Sequence, residues 1–376
     1  MSHFSLDCSE CGASHQPGMS ALACRACGTP LLVAYRGDAD AGSIVRLPRW
    51  AGHPIPLPLH DGDRLVSMGE GGTPCVELAA TGRLLGLKQL FAKLEFLNPT
   101  GSFKDRGTAI MMSAAREHGV TEVVEDSSGN AGASVSAYAA RAGIRAHVFA
   151  PANAPRAKLQ QIRVYGAETH LVEGSREATT EAALSYQKAG GLVYASHNMS
   201  PYFIEGTKTF AYELLEDLSS LPRHIVMPVG NGSLFIGAWK GFQELLDAGM
   251  VAEMPRFHCV QATAVMPVVA AYTGQSWSPQ QASRTIAGGI AVADPPRLRQ
   301  TLRVLSTTDG VALAVEDEAT LRWQRLLAES EGIYAEPTSA AAFAGLEALV
   351  KRGEIGAEET VVVPITGFGL KDRPPV

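Results

Sequence analysis

No run of about 18 consecutive apolar residues occurs, so nothing in the chain is suited to cross a bilayer as a helix. Basic residues are in the minority: 32 Lys and Arg stand against 38 Asp and Glu, a net charge of −6. That argues against nucleic acid or an anionic membrane as a general partner, because both need a basic face. The opening residues, Met1 to Cys8, have neither a basic nor an apolar segment, and no secretory signal is expected. Charged residues reach only 19% against 46% hydrophobic ones, which excludes a disordered chain and allows a large core. The mean hydropathy of +0.04 reflects scattered Ala, Val and Leu. At roughly 150 residues per domain, 376 residues make two or three domains. The expectation is a soluble, cytoplasmic, multi-domain globular protein.

Cysteine is scarce beyond the N-terminus. Of six, four lie in the first 27 residues as Cys8-x2-Cys11 and Cys24-x2-Cys27, with twelve residues between the pairs, while Cys75 and Cys259 stand alone. A secreted chain would spread paired cysteines through its body. Two C-x2-C pairs instead place four thiolates around one zinc ion, with Gly12, Gly18 and Gly28 close by. Redox dithiols or buried thiols are the alternatives. The segment is too short to fold on apolar burial alone, and four sulfurs would leave no vacancy for catalysis, so a structural zinc is expected.

Arg46 to Pro58 is rich in proline and is expected as an extended linker. From Leu90 onward, short apolar runs alternate with amphipathic segments. Strands are expected at 91–95, 122–125, 146–150, 169–172, 192–195, 224–229, 257–261 and 360–365. Helices are expected at 103–118, 131–142, 155–165, 176–189, 204–218, 234–248, 318–331 and 338–351. In helix 103–118, Ile110, Met111, Ala114 and Ala115 form one apolar face. This rhythm means parallel sheets covered by helices, which bind ligands beyond the carboxyl ends of their strands. No internal repeat and no low-complexity tract is present.

Four turns carry chemistry. Asn98 to Gly107 (NPTGSFKDRG) leads into a helix with Ser102 as expected N-cap, placing Lys104 in the first helical turn. A cation there opposes the macrodipole by roughly 0.3–1 kcal/mol. Either it is a solvated lysine paired with Asp105, or it is an amine kept partly neutral by the helix end and Arg106, able to form a Schiff base. Ser127 to Ser134 (SSGNAGAS) follows a strand, and its small residues let backbone N–H groups approach an anion at a helix start. Gly230 to Leu234 (GNGSL) repeats that arrangement after strand 224–229. Ile365 to Asp372 (ITGFGLKD) follows the last strand, where a plain C-terminal loop end is the alternative. Together the turns point to one ligand bearing a phosphate and a substrate bearing a carboxylate.

Phe96 to Gly107 (FLNPTGSFKDRG), SSGNAGAS, GNGS, Glu336-Pro-Thr-Ser-Ala and ITGFGLKD follow one another in the order found in pyridoxal-phosphate enzymes of fold type II, the tryptophan synthase β-like superfamily. The sequence most closely resembles the threonine synthases, many of which carry an N-terminal zinc ribbon, and the likeness runs from about Cys8 to Asp372. It implies an α/β fold with two parallel-sheet domains: a zinc ribbon at 1–36, a large pyridoxal-phosphate-binding domain at 37–105 and 205–376, and a smaller domain at 106–204. Lys104 would hold pyridoxal 5'-phosphate and later act as general base at Cα, and Phe103 would flank the ring. Asn130 would bond the ring O3′, and Ser127, Ser128, Gly129, Asn130 and Ala131 would hold the substrate carboxylate. Gly230, Asn231, Gly232, Ser233 and Leu234 would cradle the phosphate, and Thr366 would meet the pyridine nitrogen. A threonine hydroxyl does not stabilise a pyridinium, which disfavours transamination and suits expulsion of a β or γ leaving group.

One segment departs from the pattern. Threonine synthases tend to read N-P-x-R-L-E-G where this chain has Ser200-Pro-Tyr-Phe203-Ile-Glu-Gly206 before Thr207-Lys208-Thr209. An arginine would grip the phosphate of O-phosphohomoserine bidentately, and Phe203 cannot. Either the substrate lacks a phosphate, or another cation such as Lys158 or Arg156 serves. The expected reaction is loss of phosphate from O-phosphohomoserine and addition of water at Cβ to give threonine. An ammonia-lyase acting on threonine, serine or diaminopropionate, a β-replacement enzyme, or a cofactor-less partner-binding homologue are the alternatives. A small amino acid is the expected partner, in a homodimer.

Overall fold

The computed structural model describes residues 3–35, 44–45, 55–60, 65–152, 154, 156–174 and 176–372. They fall into two compact units, Met1–Gly71 with Asn98–Thr209, and Gly72–Leu97 with Phe210–Val376. The expected domain segments cut the chain at 37, 106 and 205 instead. The units as found keep the whole Asn98–Gly107 turn with the helix that it starts.

The first unit opens with strands β1 (Phe4–Asp7), β2 (Ser14–His15) and β3 (Leu32–Tyr35) in an antiparallel sheet, order β2-β1-β3. Phe4, Leu6, Leu31 and Val33 are buried there. Strands β4 (Ile44–Val45) and β5 (Ile55–Pro56) pair antiparallel. Most of the expected linker, residues 46–54, lies outside the described residues. Its described end is not solvated: Ile55 and Leu57 are buried.

The rest of this unit is a parallel sheet of β8 (Glu122–Glu125), β9 (Arg145–Pro151), β10 (Glu168–Val172) and β11 (Val193–Tyr194), order β10-β9-β8-β11. Helices α2 (Lys104–Glu117), α3 (Asn130–Ala142), α4 (Arg156–Val164), α5 (Arg176–Gly190) and α6 (Pro201–Thr207) accompany it. α2 does not show one apolar face: every residue from Asp105 to Ala115 is buried. It is enclosed by α3 and α6, and two glycines permit that approach. A Cβ on Gly107 would meet the Phe203 ring at 2.5 Å, and one on Gly206 would meet the Arg106 carbonyl oxygen at 1.9 Å.

The helix expected at 204–218 is two helices, α6 and α7 (Thr209–Asp217). They part at Lys208, where the hydroxyls of Thr207 and Thr209 bond back to the carbonyls of Ile204 and Gly206.

The second unit is built on β6 (Cys75–Glu77), β7 (Gln89–Lys93), β12 (His224–Pro228), β13 (Arg256–Ala262), β14 (Ala312–Val315) and β15 (Thr360–Pro364), order β14-β13-β12-β15-β7-β6. All pairs are parallel except β6 with β7. Helices α1 (Ala79–Leu85), α8 (Ser233–Asp247), α9 (Pro267–Thr273), α10 (Leu298–Thr307), α11 (Asp317–Glu331) and α12 (Pro337–Lys351) complete it. α12 is the core helix, buried from Pro337 to Leu346. A Cβ on its Gly345 would meet Val260 of β13 at 2.3 Å, so glycine sets that close helix–sheet contact. None of the described helices is long and apolar enough to cross a membrane.

Candidate functional site

Lys104 is the first residue of α2. The turn before it is tight: Gly101 takes φ +87° and its N–H donates to the Asn98 carbonyl at 2.8 Å. Ser102 is not the cap expected. Phe103 precedes the helix without a side-chain cap, and the buried Ser102 hydroxyl has no hydrogen bond among the described residues. The stabilising carboxylate comes from inside the helix. Asp105 is fully buried and accepts from the Thr100 N–H (2.6 Å), the Thr100 hydroxyl (2.6 Å) and the Ser134 hydroxyl (2.7 Å). Asp105 thus ties the turn to α3, a positioning role that the sequence reading did not give it. The Lys104 ammonium nitrogen lies 4.5 Å from the Phe103 ring centre and 5.7 Å from that of Phe203.

Lys208, the next lysine in a motif, is committed elsewhere. It is fully buried, 2.6 Å from the Glu205 carboxylate, and donates to the Tyr35 hydroxyl at 3.2 Å.

The segment Ser127–Ala131 joins β8 to α3. The helix begins at Asn130 with Gly129 before it and no side-chain cap, which leaves backbone N–H groups for an anion. The Ser127 hydroxyl accepts from the Gly129 N–H at 3.3 Å. Gly132 is obligatory, since its Cβ would stand 1.8 Å from the Ser127 carbonyl oxygen.

Glu125 and Asp126, just ahead of this loop, form a buried network with His197, and nothing in the motif reading singled them out. His197 Nδ1 lies 3.1 Å from Glu125 Oε1. Burial, then the neighbouring Asp126, pushes the Glu125 carboxyl well above its ordinary range. Burial, then the Lys104 charge, pushes the His197 imidazole well below its own. Both shifts favour the neutral form of the group. Burial opposes ionisation of Asp126, but Arg176 and the Thr180 hydroxyl outweigh it and hold that carboxyl low. Consecutive acidic residues ending a strand are a sequence signal that could have flagged them.

In the second unit, Gly230–Leu234 joins β12 to α8. Gly232 takes φ +80° and precedes the helix, again without a side-chain cap. A Cβ on Gly230 would meet the Gly289 carbonyl oxygen at 3.0 Å, and one on Gly232 would meet the Thr301 hydroxyl at 2.6 Å. The Asn231 side-chain oxygen is buried without a partner among the described residues. A cradle that side chains would fill and an uncapped start to the 15-residue α8 fit an anion such as a cofactor phosphate.

Thr366 follows β15 and is buried. Its hydroxyl lies 2.9 Å from that of Ser339, and the Ser339 hydroxyl also accepts from the Gly367 N–H at 3.2 Å. Ser339 belongs to the Glu336-Pro-Thr-Ser-Ala motif but was given no role from sequence. It orients Thr366.

The structure places Phe203 in the contact between α2 and α6. Ser200 caps α6 by accepting from the Phe203 N–H at 3.4 Å, Pro201 starts the helix, and the ring turns inward against Gly107, fully buried. Of the substitute cations, Lys158 is half-buried on α4, and the side chain of Arg156 lies outside the described residues.

The four N-terminal cysteines converge. Sulfur separations are 3.4 Å for Cys8–Cys27, 3.5 Å for Cys11–Cys24 and 3.8 Å for Cys11–Cys27, and all four are free thiols. Gly12 and Gly28 take φ +71° and +76°, closing each C-x2-C turn, and their N–H groups donate to the Cys8 and Cys24 carbonyls. Gly18 has no such conformation. Hydrogen bonds with the side chain and the backbone of Thr29 hold the Cys27 thiol down to about 6.

A family model described as pyridoxal-phosphate dependent enzyme matches residues 66–367. The threonine synthase of Methanocaldococcus jannaschii is 37% identical over 84% of this chain and 79% of its own length. That of Methanosarcina acetivorans is 33% identical over 98% and 92%. Among solved structures, a threonine deaminase from T.th. superposes with a TM-score of 0.68 at 27% identity, covering 80% of this chain and 94% of that one. A pyridoxal 5'-phosphate-dependent aspartate racemase gives 0.69 at 24%, covering 79% and 90%, a likeness of fold alone.

Proposed function

This chain belongs to the family of pyridoxal-phosphate dependent enzymes and, within it, to the threonine synthases, and from that premise we propose that it converts O-phosphohomoserine and water to threonine and phosphate. The observation that carries the proposal is the Gly230–Leu234 turn, a cradle at the uncapped start of α8 that a side chain at Gly230 or Gly232 would fill. Gly230, Asn231, Gly232, Ser233 and Leu234 would take the cofactor phosphate, and Thr366, oriented by Ser339, would meet the pyridine nitrogen. Asn130 would bond the ring O3′, with Phe103 beside the ring. The uncapped start of α3, with Ser127, Ser128, Gly129 and Ala131, would hold the substrate carboxylate.

Bound pyridoxal phosphate supplies the electron sink that lets a Cα proton and a γ phosphate leave. Lys104 would anchor it through its amine and, once displaced by substrate, take and return the Cα proton at Nζ. Asp105, held by Thr100 and Ser134, fixes the helix turn from which Lys104 projects. Because Thr366 offers a hydroxyl paired with another hydroxyl, the ring nitrogen meets no carboxylate from this pair. That favours quick expulsion of a leaving group over long-lived charge on Cα.

The cysteine cluster fits a structural zinc. Four sulfurs at about 2.3 Å from one ion stand roughly 3.8 Å apart, and the observed separations are close to that. With all four ligands supplied by the chain, the metal would add folding energy and take no part in turnover. A reducing cytoplasm would keep these thiols available to it, and we place the protein there as a homodimer.

The test is product analysis of the purified holoenzyme given O-phosphohomoserine, threonine, serine, O-phosphoserine and diaminopropionate in turn. Threonine and inorganic phosphate in equal amounts from the first is the expected result. Ammonia and a 2-oxo acid as the main products, with O-phosphohomoserine untouched, would assign an ammonia-lyase instead.

A further inference from the structure

His147, Glu168 and His170 gather on one face of the four-stranded parallel sheet, and none of them has a role in the reaction proposed above. β9 and β10 pair so that Glu168 stands beside His147 and His170 beside Phe149, and alternation puts all four side chains on the same face. His147 Nδ1 lies 3.3 Å from His170 Nε2 and 3.4 Å from Glu168 Oε2, and His170 Nε2 lies 3.5 Å from Glu168 Oε1. Donor atoms bound at about 2.0–2.2 Å to one tetrahedral ion stand roughly 3.3–3.5 Å from each other. Each separation matches such an edge, and because the two histidines face different oxygens of Glu168, a small turn of that exposed carboxylate brings one oxygen to an ion held by both imidazoles.

Their surroundings hold them there. His147 Nε2 lies 2.9 Å from Glu122 Oε2. An N–H donated to that carboxylate leaves the Nδ1 lone pair facing His170 and Glu168, the support that stands behind metal-bound imidazoles. His170 stacks on Phe149 at 4.4 Å between ring centres, and Tyr186 of α5 lies 5.0 Å from His147 and 5.1 Å from His170. The side-chain exposures of His147, His170 and Glu168 are 3%, 25% and 58%, so an ion can enter from solvent and keep one position for water. Two imidazoles and one carboxylate select a zinc-like transition ion over magnesium or calcium.

We infer that His147, His170 and Glu168 form a binding site for one divalent ion of the zinc class, with Glu122 as the carboxylate behind His147. The ion would clamp the edge strand β10 to β9. His147 pairs with Val124 of β8 and His170 with Phe149, so the cluster lies on the face of the sheet along the middle and carboxyl-terminal half of its strands; the inference uses no residue of the reaction proposed above and does not depend on it.

The experiment uses the full-length chain with its cysteine cluster already loaded with zinc, titrated with cobalt(II). Wild type is expected to bind one cobalt with the visible bands of a tetrahedral nitrogen and oxygen site and without thiolate charge transfer. His170→Ala and Glu168→Ala, both at partly exposed positions, should lose those bands or weaken binding at least tenfold while keeping the cysteine-bound zinc. Glu168→Gln, an isosteric change, serves if either alanine variant misfolds by circular dichroism. Equal cobalt uptake in wild type and variants, no uptake at all, or bands of thiolate character only would overturn the assignment.

Discussion

Phe203 lies so close to Gly107 that a Cβ added to the glycine would stand 2.5 Å from the ring. The phenylalanine that departs from the threonine synthase pattern is therefore part of the α2–α6 contact, where the buried Arg106 already places one cation. Adding a second without a counter-charge leaves an uncompensated buried charge, costing about 3–5 kcal/mol. Phe203→Arg is expected to lower the urea midpoint sharply and to give no gain in kcat/KM for O-phosphohomoserine. A stable Phe203→Arg variant with improved kcat/KM for the phosphorylated substrate would show that the ring faces the substrate after all.

The Glu125–His197 pair makes a definite pH signature. The folded chain keeps a proton on Glu125 above its ordinary value of 4.5, so this contribution to stability is lost as pH rises from there. It keeps His197 neutral below the ordinary value of 6.5, so that contribution is lost as pH falls. The two contributions run in opposite directions: rising pH costs the Glu125 contribution and falling pH costs the His197 one. Asp126, Arg176 and Lys104 face the pair and move the outer limits without changing these signs. Relative to wild type, Glu125→Gln removes the titrating carboxyl and should lose less stability as pH rises. Parallel stability curves for the two proteins, from urea unfolding at about pH 5 to 8, would contradict the neutral pairing.

Zinc at the cysteine cluster is expected to be separable from cofactor binding. Removing it with a chelator should unfold the sheet of β1, β2 and β3 and leave the cofactor absorption largely intact. Cys24→Ser, at a buried ligand position, should do the same. Protein purified without chelator that has no zinc bound to sulfur, or a disulfide between the two C-x2-C pairs, would remove the metal from the account.

Much of this was legible because βα units announce themselves twice, once as a short β-branched run and once as the small-residue turn after it. β8 appears at 122–125 as expected, and β12 and β15 end one residue short of their expected bounds. The expected strand 91–95 is shifted to Gln89–Lys93 because Glu95 to Leu97 curl into a turn of 3-10 helix. β14 was hidden, since Ala312-Leu-Ala-Val315 suits a helix as well as a strand. What makes it a strand is its parallel pairing with β13, and Gly310 ahead of it allows the close pass by the Phe257 carbonyl oxygen, which a Cβ would meet at 1.9 Å. α1 carries Gly82 in its middle and lacks a clear apolar stripe, whereas α10 was missed although Leu298, Leu302 and Leu305 recur at helical spacing. At the site, the backbone turns were legible from their glycines. The residues that orient them, Asp105, Ser339 and the Glu125–His197 pair, were not, because each acts through a partner distant in sequence.

All of the cofactor assignments turn on Lys104, and one measurement tests it directly. Reduction of the holoenzyme with borohydride, followed by proteolysis and mass spectrometry, fixes the cofactor to the lysine that holds it. The account predicts a single modified peptide containing Lys104, and no modification when Lys104→Ala is treated in the same way. Lys208 is excluded by its buried pairing with Glu205 at 2.6 Å. A label on Lys208 or Lys371, or a label that survives in Lys104→Ala, would contradict the account.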